Sequence, residues 1–243
     1  MAASVQNGVL SLSPTTLKII KNFRRFTKDG VAFAAGTTQR ILLQSKSVFA
    51  EAELPDAFPQ DLAVYDMDLL LSTLSLFDAP KIEFTPKKMV ISTDAPGAKL
   101  SVMMNYSDPS LIDADLTPKR TLSSDNPALT FTMSQYTLNT LKKTAGMLNL
   151  THLYVSTKDD GILFSADDPK IPNSNGFTLQ VPDSDVTVND NTYERSMRFQ
   201  VEHFGFLLDG DYTVSMAGWK YAAFKNTNLP INYFIAEDKG EPA

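Results

Sequence analysis

Only two side chains in this 243-residue sequence, His152 and His203, can gain and lose a proton near neutral pH without a perturbed pKa. One opens a strand-like run and the other lies in a helix-like stretch, so they do not read as a base and its orienting partner. Cysteine is absent, which removes thiolate nucleophiles, disulfides and cysteine-bound zinc together and is compatible with a reducing compartment. There is no glycine-rich phosphate loop, no GxSxG elbow and no HExxH. The pairs Asp159-Asp160 and Asp167-Asp168 read either as metal ligands or as turn residues, since Gly161 and Pro169 follow them directly. Asp183, Asp185 and Asn189 hint at a calcium loop but lack its glycine and terminal glutamate, which favours a polar loop. The expectation is a protein without catalytic residues, metal or cofactor. A carboxylate-dependent enzyme is the weakest alternative.

Charge says more. The chain is acidic, with a formal net charge of −6, which argues against coating nucleic acid with its outer surface. Yet Lys18, Lys21, Arg24 and Arg25 fall within eight residues, with Lys28 just beyond and no acid before Asp29. At about 100° per residue these bases share one helix face, and Ile19, Ile20, Phe23 and Phe26 lie roughly opposite. A second such stretch places Leu138, Leu141 and Ala145 together, with Asn139, Lys142 and Lys143 turned away. Each stripe reads as a solvated face or as a phosphate-holding one; two equivalent stripes in an acidic chain favour the second. Neither has the Asn/Gln-with-Arg grouping of a recognition helix or aromatics set outward among the bases. Sequence-blind contact with duplex DNA is therefore expected rather than base readout or single-strand binding.

The elements carrying these stripes are duplicated. The pattern Ser-x-x-Thr-Leu-x-x-[Ile/Leu]-Lys occurs at Ser13–Lys21 and at Ser134–Lys142, half a chain apart. Both copies read as capped helix starts, with serine at the N-cap. Strand-like runs follow each: VAFAA, QRILLQS and SVFAEAEL, then THLYVST, GILFSA and GFTLQVP. A second helix-like stretch comes next, Asp66–Phe77 in one half and Gln200–Leu208 in the other. Further strands close each half: KIEFT, KMVIST and AKLSVMMNY, then DYTVSMA, KYAAFK and INYFIAE. The stretch from Ser107 to Ala128 holds three prolines and no sustained period, as a connector does. The expected division is a first domain over 1–106, a connector over 107–128 and a second domain over 129–243. Hydrophobic content of 43% suits a globular protein, no apolar run nears the ~18 residues of a membrane helix, and MAASVQNG lacks a signal-peptide pattern. The sequons at Asn105 and Asn149 read as chance.

The segment Val48–Leu76, with its FAEA strand and a VYD helix entry ending in LSL, resembles the sliding clamps of T4-like bacteriophages. Asn232–Glu237, NYFIAE, is similar to that family's last strand. The resemblance implies an α+β DNA-clamp fold: two similar domains, each with two helices packed on antiparallel β-sheet, assembling into a homotrimeric ring around duplex DNA. It implies a processivity factor that tethers the replicative DNA polymerase, is placed by an ATP-dependent clamp loader, supports late transcription, hydrolyses nothing and works in the cytoplasm of an infected bacterial host. The alternative from another class is a duplicated, β-rich phage structural or assembly protein that does not thread DNA.

On that resemblance, DNA contact falls to Lys18, Lys21, Arg24, Arg25, Lys28, Lys142 and Lys143. The second helix of each half is not basic, offering Asp66 and Asp68 in one and Glu202 and His203 in the other. A partner-peptide pocket between the domains is implied at Val48, Phe49, Leu111, Ile112, Pro230, Tyr233 and Ile235. Leu111 and Ile112 equally suit a staple holding the connector to its own domain. Head-to-tail subunit contact is implied between the strand carrying Leu100, Val102 and Met104 and the strand carrying Phe177, Leu179 and Val181.

Overall fold

The computed structural model describes residues 8–28, 30–85, 87–93, 100–112, 114–118, 122, 127–158, 161–167, 175–181, 186–188, 196–216 and 221–239. The carboxylates Asp159, Asp160, Asp168, Asp183 and Asp185, with Asn189, lie outside the described residues. The chain divides into two compact units, Met1–Gln44 with Ala50–Arg120, and Ser45–Phe49 with Thr121–Ala243. The break near residue 120 falls within the stretch expected to be a connector.

In the first unit, β1 (Val9–Ser11) leads into α1 (Pro14–Phe23), followed by β2 (Val31–Phe33), β3 (Gly36–Leu42), β4 (Val48–Phe58), whose start at Val48 and Phe49 belongs to the second unit, and β5 (Leu62–Val64). Then come α2 (Met67–Leu74), β6 (Lys81–Phe84), β7 (Lys88–Ser92) and β8 (Ser101–Asn105). The strands β1-β6-β7-β8 form one antiparallel sheet, while β2 pairs with β5 and β3 lies beside β4. Ile19, Ile20, Phe23 and Phe26 of the α1 region are buried, as are Leu70 and Leu74 of α2, and the rings of Phe33 and Phe58 stack at 4.9 Å. A Cβ at Gly30, whose φ is +89°, would meet Val64 O at 2.4 Å, so only glycine fits the turn into β2.

The second unit repeats the order. It runs β9 (Leu129–Met133), α3 (Gln135–Met147), β10 (His152–Lys158), β11 (Gly161–Asp167), β12 (Phe177–Val181), β13 (Val186–Val188) and β14 (Ser196–Gln200). It closes with α4 (Val201–Phe204), β15 (Tyr212–Met216), β16 (Tyr221–Asn226) and β17 (Ile231–Ala236). Here β9-β15-β16-β17 reproduces β1-β6-β7-β8 strand for strand, and the β10–β14 pair stands where β2–β5 stands in the first unit. In its core Phe131 meets Phe164 edge to face, and Phe204 makes edge-to-face contacts with both Phe199 and Phe224.

The duplication thus extends upstream to β1 and β9, which lie outside the repeat expected from sequence. The helices are shorter than expected. α1 stops at Phe23, with Arg24 as its C-cap, because the backbone tightens into turns stapled by Arg25 N to Asn22 O and Phe26 N to Phe23 O, 3.0 Å each. α2 covers only Met67–Leu74 of the 66–77 stretch, and α4 only Val201–Phe204 of 200–208. Apolar spacing persists past both ends because turn residues bury their side chains too.

The two caps are near copies. Ser13 has φ/ψ of −70/157° and accepts from Thr16 N at 3.2 Å; Ser134 has −69/156° and accepts from Thr137 N at 3.1 Å. Each serine removed to alanine strands one helix-terminal amide, so Ser13→Ala and Ser134→Ala should each cost about 1 kcal/mol in urea unfolding. Variants as stable as the wild type would show that the caps contribute nothing.

Candidate nucleic-acid interface

The basic stripe of α1 is real but divided. Lys18, Lys21, Arg25 and Lys28 are exposed, whereas Arg24 is half-buried and engaged. Its Nε donates to Asp68 Oδ1 at 2.9 Å, one terminal nitrogen to Asp68 Oδ2 at 2.7 Å, and the other to Thr27 O at 2.9 Å. This bidentate grip, the strong form of a guanidinium–carboxylate contact, raises the Arg24 pKa and lowers that of Asp68. The expected phosphate contact at Arg24 is therefore replaced by another role: pinning α2 beside the end of α1. The residue types alone allowed both; tertiary proximity to Asp68 decides.

In α3, Lys143 is exposed, but Lys142 is half-buried and donates from Nζ to Leu207 O at 3.2 Å. Tyr136 is 79% exposed and Met147 76%. This corrects the reading that no aromatic faces outward with the bases. The signal was available in the sequence, since Tyr136 and Lys143 are seven residues apart and so share a helix face.

The two histidines stay apart in role. His152 Nε2 lies 3.0 Å from Asp238 Oδ2 and its Nδ1 lies 2.8 Å from Thr151 Oγ1, while Arg198 holds the same aspartate. That cluster anchors the segment after β17 to β10 and β14. His203 is buried in α4, with Nε2 2.9 Å from Ser47 Oγ and no hydrogen-bond partner for Nδ1 among the described residues. No group of three or more acidic or histidine side chains able to hold a metal occurs among the described residues.

Of the residues expected to form the peptide pocket, Val48, Phe49, Tyr233 and Ile235 are fully buried, Pro230 is exposed, and Phe49 packs against Phe234 at 5.6 Å. The connector pair separates: Ile112 is buried and Leu111 is 58% exposed. Ile112 forms part of the wall of a cavity of about 550 Å³ in the first unit, with Phe33, Leu62, Ala63 and Pro118 as its apolar lining and Arg40 and Asp61 among the polar groups. Of the strands expected at subunit contacts, β8 and β12 each end a four-stranded sheet. Met103 and Leu100 are exposed, and Val102, Met104, Phe177 and Leu179 are half-buried. Val181 is buried.

Comparison with known proteins follows the same lines. The sliding clamp of Vibrio phage KVP40 is 26% identical over 231 residues, covering 94% of this chain and 99% of that one. The proliferating cellular nuclear antigen of Entamoeba histolytica superposes with a TM-score of 0.68 over 95% of this chain and 98% of its own, at 11% identity. PCNA of A. fulgidus, solved with the C-terminal region of FEN-1 bound, gives 0.69 over 96% and 99%, at 10% identity. No family model matches the chain. Along nearly its whole length the chain is thus similar to a phage sliding clamp. The fold is the DNA-clamp fold. No described helix is long and apolar enough to cross a membrane.

Burial holds the His203 imidazole below its ordinary 6.5, against the smaller opposing influence of Glu202 and Asp238. A base with a lowered pKa binds fewer protons folded than unfolded, so its stability is present above the unfolded value and is lost as pH falls through it. Unfolding free energy should therefore decline from about pH 7.5 towards pH 5.5, and less steeply in His203→Gln. Equal slopes for the two proteins in pH-dependent urea melts would exclude His203 as the source.

Proposed function

We propose that this protein is a ring-forming processivity factor. Three copies close head to tail around duplex DNA and tether the replicative polymerase, after an ATP-dependent loader has opened and placed the ring. It works in the cytoplasm of an infected bacterial host and serves late transcription as well. Its hold on DNA is topological: a closed ring cannot leave sideways, so phosphate contacts stay weak enough to slide. An acidic outer surface then discourages binding that would compete with threading.

The observation that carries this reading is a pair of open sheet edges in a duplicated fold. By topology β8 is the counterpart of β17, and β12 the counterpart of β4. β17 already has a neighbour at its outer edge, the start of β4, where Ala236 N donates to Ser47 O at 2.8 Å. β8 and β12 have none among the described residues. Pairing β8 of one subunit with β12 of the next would meet both open edges at once. Unmet backbone groups at such edges are templates for strand addition, and a head-to-tail contact that closes yields a ring.

DNA contact falls on Lys18, Lys21, Arg25 and Lys28, long exposed cations suited to sequence-independent phosphate attraction. Partner capture is placed at the exposed Leu111 and the cavity beside Ile112, whose apolar lining fits one or two large side chains of an extended peptide. The peptide-bound A. fulgidus relative supports this mode of use.

Retention on nicked circular DNA after loading, with rapid loss when the circle is cut, tests the reading as a whole; equal loss from both would overturn it. Leu179→Pro removes a ladder donor from β12 and should shift trimer to monomer in light scattering. A wild type that is strictly monomeric at high concentration would remove the ring. Leu111→Ala and Ile112→Ala should each weaken capture of the polymerase's C-terminal peptide by more than about 1 kcal/mol while trimer mass is kept. Unchanged affinity in both would place the partner site elsewhere.

A further inference from the structure

The two cap helices match in sequence and cap geometry but differ in what they show to solvent. Aligned on their caps, Lys18, Lys21, Arg25 and Lys28 fall opposite Asn139, Lys142, Gly146 and Asn149. Three of the four basic positions are thus neutral in the second copy. The remaining one, Lys142, is held against Leu207 O.

The packing differs as well. α1 buries Thr16, Ile19, Ile20, Asn22 and Phe23, whereas α3 buries Leu138, Leu141 and Ala145. Counted from each cap at one hundred degrees per residue, α3 is turned about its own axis by roughly 100° relative to α1. That rotation withdraws Lys142 from the outward face and brings out Tyr136, Lys143 and Met147, which with Asn139 are spaced three, four and four residues apart along one stripe. The outward face of α1 is a row of four bases; that of α3 is an aromatic, an amide, one base and a thioether.

We propose that phosphate attraction in the clamp is carried by the first unit alone, through Lys18, Lys21, Lys28 and Arg25. α3 instead offers the duplex a nearly neutral surface centred on Tyr136 and Met147. This rests on the ring reading above. In a closed trimer the lining then alternates between three cationic sectors and three sectors without net pull, so electrostatic attraction has the threefold symmetry of the subunits rather than the sixfold symmetry of the duplicated fold. The neutral sectors displace few counterions, so they restrict the duplex by shape without adding to the salt-dependent attraction.

The test is the salt dependence of duplex binding by the intact trimer, read by anisotropy of a labelled duplex from about 50 to 200 mM salt. Three variants separate the sectors, each checked first for trimer mass and melting temperature. Lys18→Gln with Lys21→Gln and Lys28→Gln should lower affinity at least tenfold at low salt and flatten the plot of log affinity against log salt by about 0.9 for each phosphate left unneutralised. Lys143→Gln should leave affinity within about twofold, as expected for a lone cation at the edge of a neutral face. Asn139→Lys with Met147→Lys adds charge at two exposed positions of α3 and should raise affinity and steepen the slope. A slope lowered as much by Lys143→Gln as by the triple variant overturns the inference, as does a triple variant that matches the wild type. A wild type with no salt-dependent duplex binding and no retention on nicked circles overturns the ring reading itself, an outcome distinct from the other two.

Discussion

Backbone hydrogen bonding at the outer edges of its sheets is the constraint on which this protein most depends. Every strand inside a sheet meets its amide and carbonyl groups on both sides; an end strand leaves one row unmet, and such a row is stable in water but open to any extended chain. β17 escapes that exposure because the chain supplies the beginning of β4 beside it, fixed by Ala236 N to Ser47 O. β8 and β12, its counterpart and that of β4, end their sheets without a neighbour among the described residues. β8 and β12 are therefore the edges that the proposed ring would close.

Charge is organised around that scaffold rather than building it. The chain is acidic overall, so the row of bases on α1 stands out against its surroundings. Not every base in the row is available for the same work. Arg24 is drawn to Asp68, where the edge of a planar guanidinium meets both oxygens of a carboxylate, and it ties α2 to the last turn of α1. The pair is exposed enough for water to screen it, and its value lies in orientation more than in stability. Lysines at 18, 21 and 28 have no such geometry to satisfy, and their flexible stems with compact charges suit the sequence-independent contacts proposed for them.

Much of this was readable in the chain itself. The serine caps, the apolar spacing behind them and the alternation in runs such as KIEF and INYFIA define elements by local periodicity, and periodicity needs only the order of residues. Repetition of the cap pattern at half length announced two copies of one architecture. The basic stripe of α1 was legible for the same reason, since residues three and four apart share a helix face whatever the helix packs on. Tyr136 could have been read outward by the same rule.

What lay beyond the sequence depends on neighbours distant along the chain. The sequence separations of 44 from Arg24 to Asp68 and 65 from Lys142 to Leu207 are closed only by folding, so neither engagement could be inferred from spacing. The rotation of α3 on its bed, the separation of buried Ile112 from exposed Leu111, and the unmet edges of β8 and β12 were likewise settled by packing. Sequence order determined which faces each element has. Tertiary structure decided which face is turned inward, because burial is a property of what an element meets, and local periodicity leaves that partner unspecified.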